Sequence, residues 1–498
     1  MEESSIFGQT QNQAQQTQQV PLAQSVSQSP LQAQPISPQD TKPLAQTDGA
    51  SSPPLPPSES ENFQERKLSP FKKIGKIFLG LVVIAIIAFL IITFVIPRFT
   101  GNKNEKVTLT YWGLWEDKRV IQPVIDDFQK KNPNITVNYV KQDIKEYRER
   151  LDTRVKNGNG PDIFRFHNTW VPMISSFLLP IPSDIIDANE FKNSFYPVVQ
   201  KDLIKKGAIY GIPLEIDVLS LYINSEIFQA AGFNPPINWE EFMSHARAIT
   251  VKDENEKIKT AGAAMGTYSN IMHAPDIISL LFVQSGLDIT NLSENPKKAA
   301  EALDFYTIFS LDEGNVWDDT QDSSILAFAK GNLGMYFGYS WDYFTIKAIN
   351  KDLDFKIVSV PQLPDQNKTI ASYWVEGVSS KSKYQKEALL FLKFLTSKES
   401  SEKIYTEASK TREFGEPYAR MELGDKLKDN PNIYPFIAQA KNATSSYFIG
   451  ETYDNGINSK LNKYLENAIG SILENTSSET AVQTLIQGES QVLKDYGQ

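Results

Sequence analysis

Hydrophobic positions along the chain fall into three regimes. Over the first 65 residues apolar side chains are isolated and follow no period, as in Gln11-Asn12-Gln13-Ala14-Gln15-Gln16 and Ser51-Ser52-Pro53-Pro54-Leu55-Pro56-Pro57. Such a segment cannot bury enough apolar surface to offset the entropy of ordering, so 1–65 reads as a disordered Gln/Ser/Pro-rich tail, cytoplasmic by the topology argued next. Residues 77–96 read IFLGLVVIAIIAFLIITFVI without a charge. As a helix they extend about 30 Å, the thickness of a bilayer core. Arg66, Lys67, Lys72, Lys73 and Lys76 precede the run and Pro97 ends it. Segment 66–98 is therefore expected to be a basic flank and a transmembrane helix (77–96). The positive-inside rule predicts a single pass at the cell membrane, N-terminus cytoplasmic and binding domain extracellular. The long region before the run and the absence of an A-x-A site after it argue against a cleaved signal peptide.

From residue 107 the pattern alternates between two periods. Val107 and Leu109 against Thr108 and Thr110 predict a strand. Val120, Val124, Ile125 and Phe128 predict a helix over about 119–131, which Asn132-Pro133-Asn134 stops. A second strand is expected over 135–140, a second helix over 143–157 and a third strand over 162–166. Strand–helix–strand–helix–strand with short loops indicates a parallel sheet covered by helices. In such sheets ligands sit beyond the carboxyl ends of the strands, so the loops 112–117 and 165–170 are where function is expected. Further on, 207–224 is a long apolar-rich extended run with acids at 215 and 217.

Composition narrows the chemistry. The 498 residues include no cysteine and three histidines, His167, His245 and His273, far apart in sequence. Disulfides, thiol nucleophiles and thiolate or His-rich metal sites are thereby excluded or disfavoured. Lys+Arg 50 against Asp+Glu 60 leaves a net charge of −10, which does not advertise nucleic-acid binding. No G-x-S-x-G, HExxH, P-loop or dinucleotide glycine motif is present. No cofactor and no metal are expected.

The run Gly207-Ala208-Ile209-Tyr210-Gly211-Ile212-Pro213 through Tyr222-Ile223-Asn224 resembles the hinge entry, Gly-x-x-Tyr-Gly-x-Pro, and exit, Tyr-x-Asn, of family 1 extracellular solute-binding proteins of ABC importers, the maltose-binding-protein-like sugar-binding proteins. Other pieces match in order. They are VIDDFQKKNPNITV (124–137), Gly158 to Ile163, IFQAAGFNPPINWEEFMSHARAI (227–249), AFAKGNLGMYFGYSW (327–341) and the helix 388–399. Asn238 and Gly334 depart from the family's Thr and Ala. The resemblance covers essentially all of 107–498. It implies an α/β, two-lobed periplasmic-binding-protein-like (class II) fold with hinge crossovers. Lobe one is expected at about 107–216 and 376–430, lobe two at about 217–375 and 431–498. It also implies a monomeric receptor that captures a small solute, a mono- or oligosaccharide, by hinge closure and delivers it to permease subunits in the membrane. A surface sensor or adhesion module is the alternative. A glycan-active enzyme is a third, since paired carboxylates near tryptophan also describe glycoside hydrolases.

Candidate ligand contacts follow from both arguments. Trp115 and Glu116 lie in the loop after the first strand, where an indole beside a carboxylate offers an apolar face and hydroxyl acceptors; Trp112 reads equally as packing. In loop 165–170 the resemblance picks Asn168 and Trp170, the latter alternatively a helix anchor. Glu215 and Asp217 stand at the hinge, to bind a hydroxyl or to hold the crossover through backbone amides. The resemblance marks Tyr339 and Trp341 in Gly338-Tyr339-Ser340-Trp341, the family's ligand-stacking loop. Trp374 and Glu376 precede a second crossover. Trp239 reads as core, and Trp317 is open.

Overall fold

The computed structural model describes residues 85–87, 89, 106–311 and 314–498. The tail 1–65, its basic flank and most of the span expected over 77–96 lie outside the described residues. Residues 85–87 and 89 are helical. No helix among the described residues is long and apolar enough to cross a membrane. The single-pass placement at the cell membrane, with a cytoplasmic N-terminus, is therefore corrected: it does not stand.

Two five-stranded sheets organise the rest. In the first, strand Val107–Gly113 lies parallel between Ile135–Lys141 and Ile163–His167. Strand Trp374–Val378 then runs antiparallel to Ile163–His167, with Trp374 opposite His167, and Ile212–Pro213 closes the edge. The three N-terminal strands are those the alternation predicts, and the helices between them cover 118–131 and 147–156. Asp117 caps the first of these helices by accepting the Arg119 amide at 2.9 Å. Phe128 drives it onto the sheet, against Phe391 and Phe394 of helix Gln385–Leu395.

The second sheet has Ser220–Asn224 antiparallel to both Leu333–Gly338 and Phe355–Val358, with Ile258–Ala263 parallel to Leu333–Gly338 on the other side. Helix Trp239–Ile249 packs on it. Trp239 stacks on Phe337, and its Nε1 donates to Gln284 at 2.7 Å, so the core reading of this residue holds. Trp317 is also fully buried, and its Nε1 donates to Asn270. Asn238, in place of the family's Thr, still caps the helix by accepting the Glu241 amide at 2.8 Å. Helices Ile457–Leu473 and Ser478–Asp495 pack on Pro296–Leu311.

The chain passes from one sheet to the other through a small ribbon. Asp217–Val218 pairs antiparallel with Thr369–Ser372, and Ala443–Thr444 lies parallel on the far side. The extended run expected over 207–224 is thus broken into short pieces at 208–209, 212–213, 217–218 and 220–224. A continuous strand could pair with only one sheet; the breaks let the chain leave the first and join the second.

Candidate functional site

A cavity of about 230 Å³ opens beside this ribbon. Its walls come from segments far apart in sequence. Trp115 and Trp374 stand on the first-sheet side, Glu215, Asp217, Ser372 and Tyr373 at the crossings, and Trp341 on the second-sheet side. Arg412, Glu416, Glu451 and Tyr453 complete it.

Trp115 is held in the left-handed region, φ 57°, which costs a non-glycine residue about 1 kcal/mol or more. The turn leaves its indole 42% exposed and edge-on to Trp374, with ring centroids 5.8 Å apart. Trp374 is in turn backed edge-on by Trp170 at 5.4 Å and His167 at 5.2 Å. Trp170 is fully buried and does not reach the cavity, so the anchor reading describes its position. His167 bridges Thr169 and Ser372 and is held neutral, because burial pushes its pKa down to about 3.

Trp341 sits in the first turn of helix Ser340–Ile349. Its indole is half-buried and stacks on Tyr339 at 4.5 Å and 16°. Tyr339 itself is buried beneath, donating its hydroxyl to Asp276 at 2.7 Å, and does not line the cavity. Gly338 is required by close approach: a Cβ there would lie 2.5 Å from Asp342 Oδ2 and 2.6 Å from the Tyr336 ring.

The hinge carboxylates divide in role. Asp217 accepts the Ser340 amide at 2.9 Å and the Ser340 hydroxyl, and its other oxygen accepts the Val218 amide. It therefore ties the first turn of the Trp341 helix to the crossover, an anion at a helix N-terminus. Glu215 makes no hydrogen bond through its side chain among the described residues; Arg165 Nη1 lies 3.8 Å away. Burial pushes both carboxyls above the usual carboxylate range.

Three other expected contacts lie away from this cavity. Glu376 is fully buried in the first sheet, where its Oε1 accepts Arg165 Nε at 2.7 Å and the Tyr111 hydroxyl at 2.9 Å. It shares a strand face with Trp374 but sits two residues, about 7 Å, further along. Glu116 lies behind the wall, where it accepts Arg412 Nη2 at 3.0 Å; the same nitrogen donates to Glu416 at 2.9 Å. Asn168 is directed away, binding Asp202 at 2.8 Å beside a separate hollow. Trp112 is half-buried against Tyr147.

Arg412, Glu416, Glu451 and Tyr453 had no local sequence signal. The segment 451–455 carries three non-glycine residues at positive φ: Glu451 (54°), Tyr453 (51°) and Asn455 (43°). Buried Asp454 pins this strained loop by accepting the amides of Asn458 and Ser459.

Beneath Trp341, buried His273 faces Asp342 at 2.8 Å. Burial opposes its charge, but the carboxylates of Asp342 and Asp276 prevail and raise its pKa to about 9, from 6.5. A raised folded-state pKa stabilises fully below about pH 6.5, and the gain disappears as pH rises through about 9. The urea midpoint of His273→Asn, measured across this range, should fall furthest below that of the parent under mildly acidic conditions and approach it in alkali.

Two lobes joined at a ribbon, with indoles and carboxylates in the cleft between them, define a two-lobed ligand-binding protein. The family model for bacterial extracellular solute-binding proteins matches residues 124–435, more than half of the chain, and the chain belongs to that family. The multiple sugar-binding protein of Streptococcus mutans is 24% identical over 360 residues, covering 67% of this chain and 81% of that protein. The putative ABC transporter periplasmic-binding protein YcjN of Escherichia coli is 21% identical over 161 residues, 32% of this chain and 36% of that one. Among solved structures, a cyclo/maltodextrin-binding protein complexed with maltotetraose superposes with a TM-score of 0.64 at 20% identity, covering 78% of this chain and 97% of that one. The GacH receptor of Streptomyces glaucescens gives 0.62 at 21% identity, covering 78% and 99%. These structures share the fold.

Proposed function

We propose that this chain is the solute receptor of an ABC importer, capturing a mono- or oligosaccharide in the cleft and presenting it to permease subunits. The observation that carries the reading is the cavity itself. Indoles approach it from both lobes, Trp115 and Trp374 from one and Trp341 from the other, while Glu215 and Asp217 stand at the crossing between them. Indole faces suit the C–H faces of a pyranose, and carboxylates suit its hydroxyls. The resemblance of the chain to a multiple sugar-binding protein supports the same solute class. Within this reading the ligand contacts are Trp115, Glu215, Trp341 and Trp374, with Asp217 holding the Trp341 loop in place. The lobe bounds expected from the sequence, 107–216 and 376–430 against 217–375 and 431–498, shift at the second crossing, because strand Trp374–Val378 lies in the first sheet and brings 374–375 into lobe one.

Walls contributed by two lobes close on a ligand by rotation about the crossings. Small-angle scattering at saturating solute is expected to show a smaller radius of gyration than without it. An unchanged scattering profile at saturation would refute hinge capture.

A further inference from the structure

Charge around the cavity is unbalanced. Glu215, Asp217, Glu416 and Glu451 line it, and Glu116 and Glu376 stand directly behind. The cations paired with this set are Arg165 and Arg412. Arg165 spends its Nε on Glu376, and Arg412 Nη2 is shared between Glu116 and Glu416. Neither Asp217 nor Glu451 has an ion pair among the described residues. The hydrogen bonds of Asp217 go to Ser340 and Val218, and Glu451 accepts the Tyr453 hydroxyl.

Glu215 is the residue this arrangement leaves open. It is 7% exposed, lines the cavity, and has no hydrogen-bond donor on its side chain. Its nearest cation is Arg165, whose Nη1 lies 3.8 Å away, beyond hydrogen-bond distance, while its Nε binds Glu376. A buried carboxylate without a donor is costly unless something else supplies one. A neutral hydroxyl supplies a donor but no charge, whereas a cation also favours the ionised form of the carboxyls that burial pushes upward. The indoles of Trp115, Trp341 and Trp374 add attraction for a cation through their ring faces.

The geometry points to a positively charged occupant: on the carbohydrate reading, on which this inference rests, a saccharide bearing a protonated amine placed against Glu215 among the three indoles. The amine donates hydrogen bonds to the open carboxylate, and its charge offsets the surplus that Arg165 and Arg412 leave.

Calorimetric titration of the full chain tests this with matched pairs. The probes are glucosamine, galactosamine and β-1,4-linked glucosamine oligomers, each against its N-acetylated counterpart, with choline as a cation lacking a sugar. The amine member of at least one pair is expected to bind about tenfold tighter or more. That advantage should shrink at high salt and in Glu215→Gln. N-acetylated members binding as tightly as their amines, or tighter, would overturn the charge inference and leave the carbohydrate reading standing. Choline binding without any saccharide would support the charge inference and defeat the carbohydrate reading. Binding of none of these probes would overturn the charge inference and leave the carbohydrate reading to neutral saccharides. An amine preference undiminished in Glu215→Gln would overturn the placement at Glu215.

Discussion

Trp341→Ala is expected to weaken solute binding by roughly ten- to a hundred-fold while leaving the ligand-free protein folded. Stacking a sugar face on an indole buries apolar area on both partners, worth about 1–3 kcal/mol at roughly 25 cal/mol per Å², and each 1.4 kcal/mol is about tenfold in affinity. The cost to ligand-free stability is set by what the indole touches without ligand. Trp341 is half-buried and stacked on Tyr339, so removing it loses an aromatic pair worth about 0.5–1.5 kcal/mol. Trp170→Ala provides the contrast. That side chain is fully buried behind Trp374, and its loss should cost about 3–5 kcal/mol of stability. One titration and one melting curve for each variant check both. Equal losses of ligand-free stability for the two would place Trp341 in the core rather than in the cleft.

Arg165→Met should be among the most destabilising single changes in the first sheet. The guanidinium is 2% exposed and lies between Glu376 and Glu215. Without it the Glu376 carboxylate loses its cation and keeps neutral donors alone, the Tyr111 hydroxyl on Oε1 among them. Breaking a buried pair from one side typically costs about 3–5 kcal/mol, because an uncompensated charge stays behind. The double variant Arg165→Met/Glu376→Leu should recover part of that loss, since the Glu376 charge goes with its partner while Glu215 still lacks its nearest cation. Urea unfolding of the single and double variants measures this directly; a single variant within about 1 kcal/mol of the parent would contradict the assigned burial.

The strands and helices from 107 to 167 were legible because each has its own clear period and its own stop signal, as at Asn132-Pro133-Asn134. The resemblance carried the fold further, because its motifs mark the hinge and the Trp341 loop. The site was legible only in part. Trp115, Glu215, Asp217, Trp341 and Trp374 line the cavity, whereas Glu116, Asn168, Trp170, Tyr339 and Glu376 do not. Three of these residues are sequence neighbours of a wall residue, but a bend or a strand's pitch turns them away from the cavity: Glu116 follows the left-handed Trp115, Tyr339 lies two residues before Trp341, and Glu376 lies one pleat below Trp374. Trp170, fully buried, shows that an aromatic can serve the site only by backing the one that faces it. Arg412, Glu416, Glu451 and Tyr453 were invisible because they arrive from the C-terminal part of the chain, and tertiary packing alone brings them to the cleft. The membrane placement failed for a different reason: it rested on the composition of 77–96, and no described helix is long and apolar enough to cross a membrane.

The central claim, that the cleft between the lobes is a carbohydrate site, is tested most directly by a thermal-shift screen of the full chain against a panel of neutral and amine-bearing mono- and oligosaccharides. A ligand present at 100 times its dissociation constant adds about 2.7 kcal/mol to folding stability. At least one panel member is expected to raise the melting temperature in a concentration-dependent way, and Trp341→Ala to move the response to higher concentration. A panel that leaves the melting temperature unchanged, with a non-carbohydrate solute producing the shift and Trp341→Ala abolishing it, would contradict the carbohydrate assignment.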